Sequence, residues 1–204
     1  MTQSLNYFKE TPSQTAGPYV HIGCTPNFSG LNGVFSEDLG VKILNDQAEG
    51  TRITVRGVVY DGKGAPIKDA LVEIWQADAK GLFNSPSEIR GAADPNFSGW
   101  GRCPGEMESG EFVFETIKPG VVPFKDGRPM APHITFWIVA RGINIGLHTR
   151  MYFPEEIDAN AADPILSRID HKSRVPTLIA TQNGSEYRFD IHLQGDNETV
   201  FFDI

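Results

Sequence analysis

Cysteine is scarce: Cys24 and Cys103 are the only two, they lie far apart, and neither sits in a CxxC spacing. A disulfide framework or a thiolate zinc site needs more sulfur than this, so both are expected to be free thiols. Basic charge is short as well, with 18 Lys and Arg against 26 Asp and Glu for a net charge of −8, and no basic run could track a phosphate backbone. Nucleic acid is therefore not an expected partner. Long apolar stretches are missing, since the longest, Ile134 to Ala140, is broken by Thr135 and falls far short of the roughly 20 residues that cross a bilayer. No membrane anchor is expected. The N-terminus has no charged start leading into an apolar core, so the expected compartment is the cytoplasm. The GxSxG, GxGxxG and GxxxxGK[ST] patterns are absent, which removes the common hydrolase, dinucleotide and P-loop signals.

What is present is a chain of 204 residues, 40% hydrophobic and 22% charged, enough to bury one real core. Gly (21) and Pro (14) punctuate it often, and Phe (13) outnumbers Tyr (5) and Trp (3) combined. Frequent turns with aromatic filling lean toward β structure. Residues 1–50 are poor in periodicity and rich in Gly, Pro, Ser, Asn and Thr, and read as an arm laid over another surface. From Arg52 the pattern changes: Ile53, Val55, Gly57 and Val59 alternate with Arg52, Thr54, Arg56 and Val58, the period of a half-buried strand. Asp61-Gly62 with Gly64 and Pro66 then supplies a turn. Further strands are expected at 70–76, 111–117, 133–140, 148–153, 177–180 and 187–193, the last with Tyr187, Phe189, Ile191 and Leu193 on one face. Short helices are expected at 154–162 and, after Asp163-Pro164, at 165–169. The sum is an all-β chain: a 51–204 antiparallel β-sandwich with short helices and a 1–50 arm laid over another surface, one structural domain overall.

Candidate chemistry is sparse. His133 opens an apolar strand, and a single imidazole holds no metal tightly, so a structural hydrogen bond is its plain reading. His148 and His192 have Arg150 and Gln194, not ligands, two positions on along the same strand face. Composition and spacing alone stop at a β-sandwich of open function.

Two blocks go further: Thr11-Pro12-Ser13-Gln14-Thr15-Ala16-Gly17-Pro18-Tyr19 and Leu71-Val72-Glu73-Ile74-Trp75-Gln76-Ala77-Asp78. With Thr116-Ile117-Lys118-Pro119-Gly120, Ala131-Pro132-His133-Ile134, Ala140-Arg141-Gly142-Ile143-Asn144 and Glu198-Thr199-Val200-Phe201-Phe202-Asp203, the chain resembles the intradiol ring-cleaving dioxygenases over most of its length. The resemblance implies a β-sandwich and ferric iron, Fe(III), held by two Tyr phenolates and two His, hard donors for a hard ion. This chain departs from that set. Phe83 stands where the first Tyr is expected, Val122 precedes Pro123 where the second is, and His133-Ile134-Thr135 stands for His-x-His. The lost ligand positions are thus Phe83, Val122 and Thr135, the retained one is His133, and no iron is expected on this chain alone.

Within the family the resemblance is to a non-iron subunit that pairs with an iron-bearing partner subunit of the same fold in a large hetero-oligomer. It implies that Thr15, Gly17, Pro18 and Tyr19 line a catechol pocket, where O₂ is co-substrate, and that Arg141 lies near it. A guanidinium suits the carboxylate of a carboxylated catechol. Plain alternatives stand beside these: an interface residue for Tyr19, an ordinary ion pair for Arg141, and core or interface packing for Trp75 and Gln76. A β-sandwich binding module unrelated to iron and a self-sufficient dioxygenase are the rival functions.

Overall fold

The computed structural model describes residues 15–17 and 19–203, so Pro18 and the Thr11–Gln14 part of the first block lie outside the described residues. Strand β1 (Arg52–Tyr60) organises one sheet, because its alternating apolar side chains bury one face and its backbone has partners on both edges. Eleven strands are described, and the others are β2 (Leu71–Trp75), β3 (Trp100–Pro104), β4 (Glu111–Ile117), β5 (Val122–Pro123), β6 (Pro129–Met130), β7 (His133–Val139), β8 (Leu147–Tyr152), β9 (Thr181–Asn183), β10 (Glu186–Arg188) and β11 (Ile191–His192). The first sheet joins β4, β1, β10, β11 and β9; the second runs β3-β2-β7-β8, and β5 and β6 form a separate hairpin. Pairing is antiparallel throughout, except that β10 and β11 run parallel to β1.

The two sheets close on one core. Phe112 and Phe114 from the first sheet, Phe136 from the second and Phe189 between β10 and β11 meet with ring centroids 5.2–6.5 Å apart. Burying four such rings with Ile53, Val55, Ile74, Ile134 and Ile138 is the main apolar contribution to stability. Ile43 and Ala48 also reach this core from the segment before β1. A second cluster, Ala131, Tyr152, Leu166, Leu178 and Val200, covers the outer face of the second sheet.

Several expected elements differ. The continuous strand over 187–193 is split into β10 and β11, because Asp190 turns its Oδ1 to accept from the Val58 N–H at 3.0 Å, while the Phe189 N–H bonds Arg56 O at 2.8 Å. Gly57 permits that approach: a Cβ there would lie 1.9 Å from the Phe189 carbonyl oxygen. Of the strand expected at 177–180, Thr177 and Leu178 instead end a 3-10 helix, Lys172–Leu178, in which Pro176 has no N–H to give a ladder, while Ile179 makes an isolated parallel bridge to Tyr152. Strand β3 was not expected, because its Gly, Arg, Cys and Pro carry no period-2 signal. The helix expected at 154–162 narrows to Ile157–Ala162, the one at 165–169 is a single 3-10 turn at Leu166–Arg168, and a helix not foreseen, α1 (Tyr19–Cys24), opens the described chain. Cys24 and Cys103 are free thiols, and burial pushes the Cys103 thiol up. Among the described residues no helix is long and apolar enough to cross a membrane.

Candidate active site

The candidate residues fall at the two ends of one strand pair. Strands β2 and β7 run antiparallel with Leu71 opposite Val139 and Trp75 opposite Thr135. Alternation puts Ile134, Phe136 and Ile138 in the core, so His133, Thr135 and Trp137 share the other face.

At the Trp75 end, the Trp75 and Phe83 rings lie nearly parallel, 9° between planes and 5.8 Å between centroids. The turn after β2 brings them together. Buried Asp78 accepts the Lys80 and Leu82 N–H groups at 2.9 Å each on one oxygen and the Asp94 N–H at 3.0 Å on the other. Its carbonyl takes the Gly120 N–H at 2.8 Å. Gly81, at φ +79°, leaves room for the Val121 carbonyl, which would sit 2.0 Å from a Cβ. The result sets Phe83 and Val122 beside each other in one open cleft of about 430 Å³, with Arg90 and Glu88 on its rim. Arg90 pairs with Glu88 and holds that carboxyl down at about 2.

The row across the sheet from Trp75 continues through Thr135 to Arg150 on β8, and in the next row His133 faces Tyr152. His133 is buried and donates from Nδ1 to the Ala131 carbonyl at 2.8 Å. Burial, and then the positive Arg150, pull its pKa down to about 4, so the imidazole is neutral. Tyr152 is buried against Asp163, and the burial foremost pushes its phenol up. Asp163 is itself buried and saturated, accepting the Ala131, Ile165 and Leu166 N–H groups at 2.7–2.9 Å. Phe83 and Val122 carry no donor atom, Thr135 carries a neutral hydroxyl, and a guanidinium lies beside His133. This set does not fit a trivalent cation, and among the described residues no group of three His, Cys, Asp or Glu is placed to hold a metal. Gln76, next along, is a structural tie: its side chain bonds Ile117 O and Thr116 Oγ1 at 2.9 Å each, joining the two sheets.

At the other end, beyond Leu71 and Val139, the same register carries Asp69 opposite Arg141. The Arg141 Nε lies 2.6 Å from Asp69 Oδ2. Thr15 closes on this spot, its Oγ1 accepting the Gly142 N–H at 2.8 Å and donating to Ala140 O at 3.3 Å. From α1, His21 Nε2 donates to the Asp69 carbonyl at 3.0 Å. Thr15 and Arg141 are thus brought together, Gly17 lies in the link to α1, and Tyr19 begins α1 with 81% of its surface exposed. Six residues of strand, roughly 20 Å, separate this end from the Trp75 end. The sequence does not single out Asp69, and it marks Arg150 and Asp163 only as a non-ligand and as a helix cap; the fold places them at these two ends.

A sequence model of the family described as "Dioxygenase" matches residues 24–195. The chain is 45% identical over 203 residues to the protocatechuate 3,4-dioxygenase alpha chain of Pseudomonas putida, covering 98% of each. It is also 37% identical over 168 residues to the beta chain of the Burkholderia cepacia enzyme, covering 77% of this chain and 70% of that one. The chain belongs to the intradiol dioxygenase family. Its fold matches the intradiol ring-cleavage dioxygenase of Tetranychus urticae at a TM-score of 0.56 and 22% identity, over 78% of this chain and 89% of that one. The family is iron-dependent, which sets its chemistry against the donor-poor Trp75 end of this member.

Proposed function

We propose that this chain is the non-iron, alpha-type subunit of a hetero-oligomeric protocatechuate 3,4-dioxygenase, and that Fe(III) is held by a beta subunit of the same fold. The assembly opens protocatechuate between its two hydroxyls and adds both atoms of O₂, giving 3-carboxy-cis,cis-muconate in aromatic catabolism. In this reading Phe83, Val122 and Thr135 occupy lost ligand positions and His133 is a retained one with a structural hydrogen bond. Thr15, Gly17, Pro18, Tyr19 and Arg141 face the substrate pocket of the partner.

The observation that carries the reading is the separation of the two ends. Arg141 and the Thr15 segment lie roughly 20 Å of strand from this chain's own Trp75 end, so they serve no site built there. A site on another chain gives them one. The exposed apolar side chains support that placement: Tyr19, Ile22, Leu31, Val34, Leu39 and Val41 crowd one short stretch, where a partner surface would cover them. Positioning of substrate by such a wall is worth several kcal/mol without any chemistry of its own. Turnover of protocatechuate by this chain alone, by the iron-loaded beta subunit alone and by the assembled complex tests the proposal. Only the complex is expected to work at full rate; equal rates from the beta subunit alone would overturn it.

A further inference from the structure

We propose that Asp69 is the positioning residue for Arg141, fixing its guanidinium so that the terminal amino edge meets the carboxylate of the substrate. The inference rests on the reading of Arg141 as substrate-facing and adds to it the residue that aims it. Three observations carry it. First, Asp69 Oδ2 meets Arg141 at Nε, at 2.6 Å, which occupies the side edge of the guanidinium and leaves the Nη pair as the edge for a second carboxylate. Second, the anchor is rigid where the arginine is not. Asp69 sits two residues before β2, its carbonyl held by His21, while Arg141 stands 73% exposed on the turn after β7. A flexible cationic side chain gains most from being held in one geometry before the ligand arrives.

Third, Asp69 is poorly placed for stability alone. Its Oδ1 is buried and lacks a hydrogen-bond partner among the described residues. An unpartnered buried carboxylate oxygen works against folding, and an exposed arginine partner returns little. An asparagine would fit the same space without the charge. Asp69→Asn is therefore expected to fold and assemble.

The test uses the assembled, iron-loaded complex carrying Asp69→Asn, Arg141→Gln or both, with kcat and KM measured for protocatechuate and for catechol, which lacks the carboxylate. The expected result is a five- to tenfold rise in KM for protocatechuate with Asp69→Asn, kcat within twofold, and catechol constants unmoved. The double variant should be no worse than Arg141→Gln alone, since both act through one contact. Should Asp69→Asn fail to assemble, Asp69→Glu, which keeps the charge but shifts it by one methylene, is expected to give a smaller rise confined to protocatechuate.

An unchanged or lowered KM in Asp69→Asn beside a raised one in Arg141→Gln would overturn the positioning role and leave the reading of Arg141 intact. Equal losses on both substrates would make Asp69 merely structural and overturn it too. No effect of Arg141→Gln on protocatechuate would overturn both.

Discussion

The Trp75 and Asp69 ends of the β2–β7 ladder are built from the same two strands, yet their chemistry is opposite. At the Trp75 end donors are few or already committed: Phe83 stacks on Trp75, Thr135 offers only a neutral hydroxyl, His133 is neutral and bonded to Ala131, and Asp163 is saturated by backbone N–H groups. At the Asp69 end polar groups are held close to solvent, with Arg141 exposed on its Asp69 anchor and Thr15 bridging the turn. One end is packing, and the other has a charge to offer. The difference teaches that one ladder can carry a donor-poor end and a charged end at once, because its pairing and its core do not depend on which side chains stand on its outer face.

Four changes break or sharpen that contrast. Asp163→Ala is expected to have the largest effect, because three N–H groups, two of them in buried bonds, lose their acceptor together; a loss of roughly 3 kcal/mol in urea unfolding is expected. The pH dependence should come next. His133 is depressed to about 4 in the folded chain from 6.5, so the unfolded chain binds the extra proton between those values. That contribution is present above pH 6.5 and is lost as the pH falls toward 4. Unfolding of His133→Gln should therefore show a flatter slope than the parent over this window, by up to about 3 kcal/mol in total. At the other end Thr15→Val removes the Gly142 and Ala140 contacts, which should lower the unfolding free energy of the chain by only about 1 kcal/mol and raise KM of the complex about fivefold. Smallest of all, Arg90→Ala on the rim of the Trp75 cleft should leave kcat/KM of the complex within twofold, since the proposed function gives that cleft no part in turnover. A large loss there would erase the contrast.

Much of the frame is legible in the sequence, because β1 and β4 largely alternate buried and less buried positions, β7 is an apolar run, and the turns are written in Gly and Asp. Strand β3 is not, since Gly101 faces Ile43 and Ile74 where only a bare backbone fits, and a glycine carries no hydrophobic signal. Residues 177–180 misread as a strand because Leu178, Ile179 and Ala180 are apolar in a row, and the covering of Leu178 by Tyr152 and Val200 is a tertiary fact. That Phe83, Val122 and Thr135 offer no phenolate or imidazole is read straight from the sequence, and that they stand at ligand positions is what the resemblance implies. Asp69 is not, being one acidic residue before a strand until the Leu71–Val139 pairing sets it against Arg141. Arg150 is legible only as a residue that is not a ligand; its neighbourhood with His133 and Phe202 needs the fold.

The most direct test of the central claim is iron content with the visible spectrum, on this chain purified alone after ferric loading and on the same chain co-expressed with a beta-type partner. The account predicts a colourless, iron-free single chain and a red-brown, iron-bearing complex, the colour arising from phenolate-to-iron charge transfer. Colour and stoichiometric iron in the single chain would contradict it and turn attention to other phenols, those of Tyr60, Tyr152 and Tyr187.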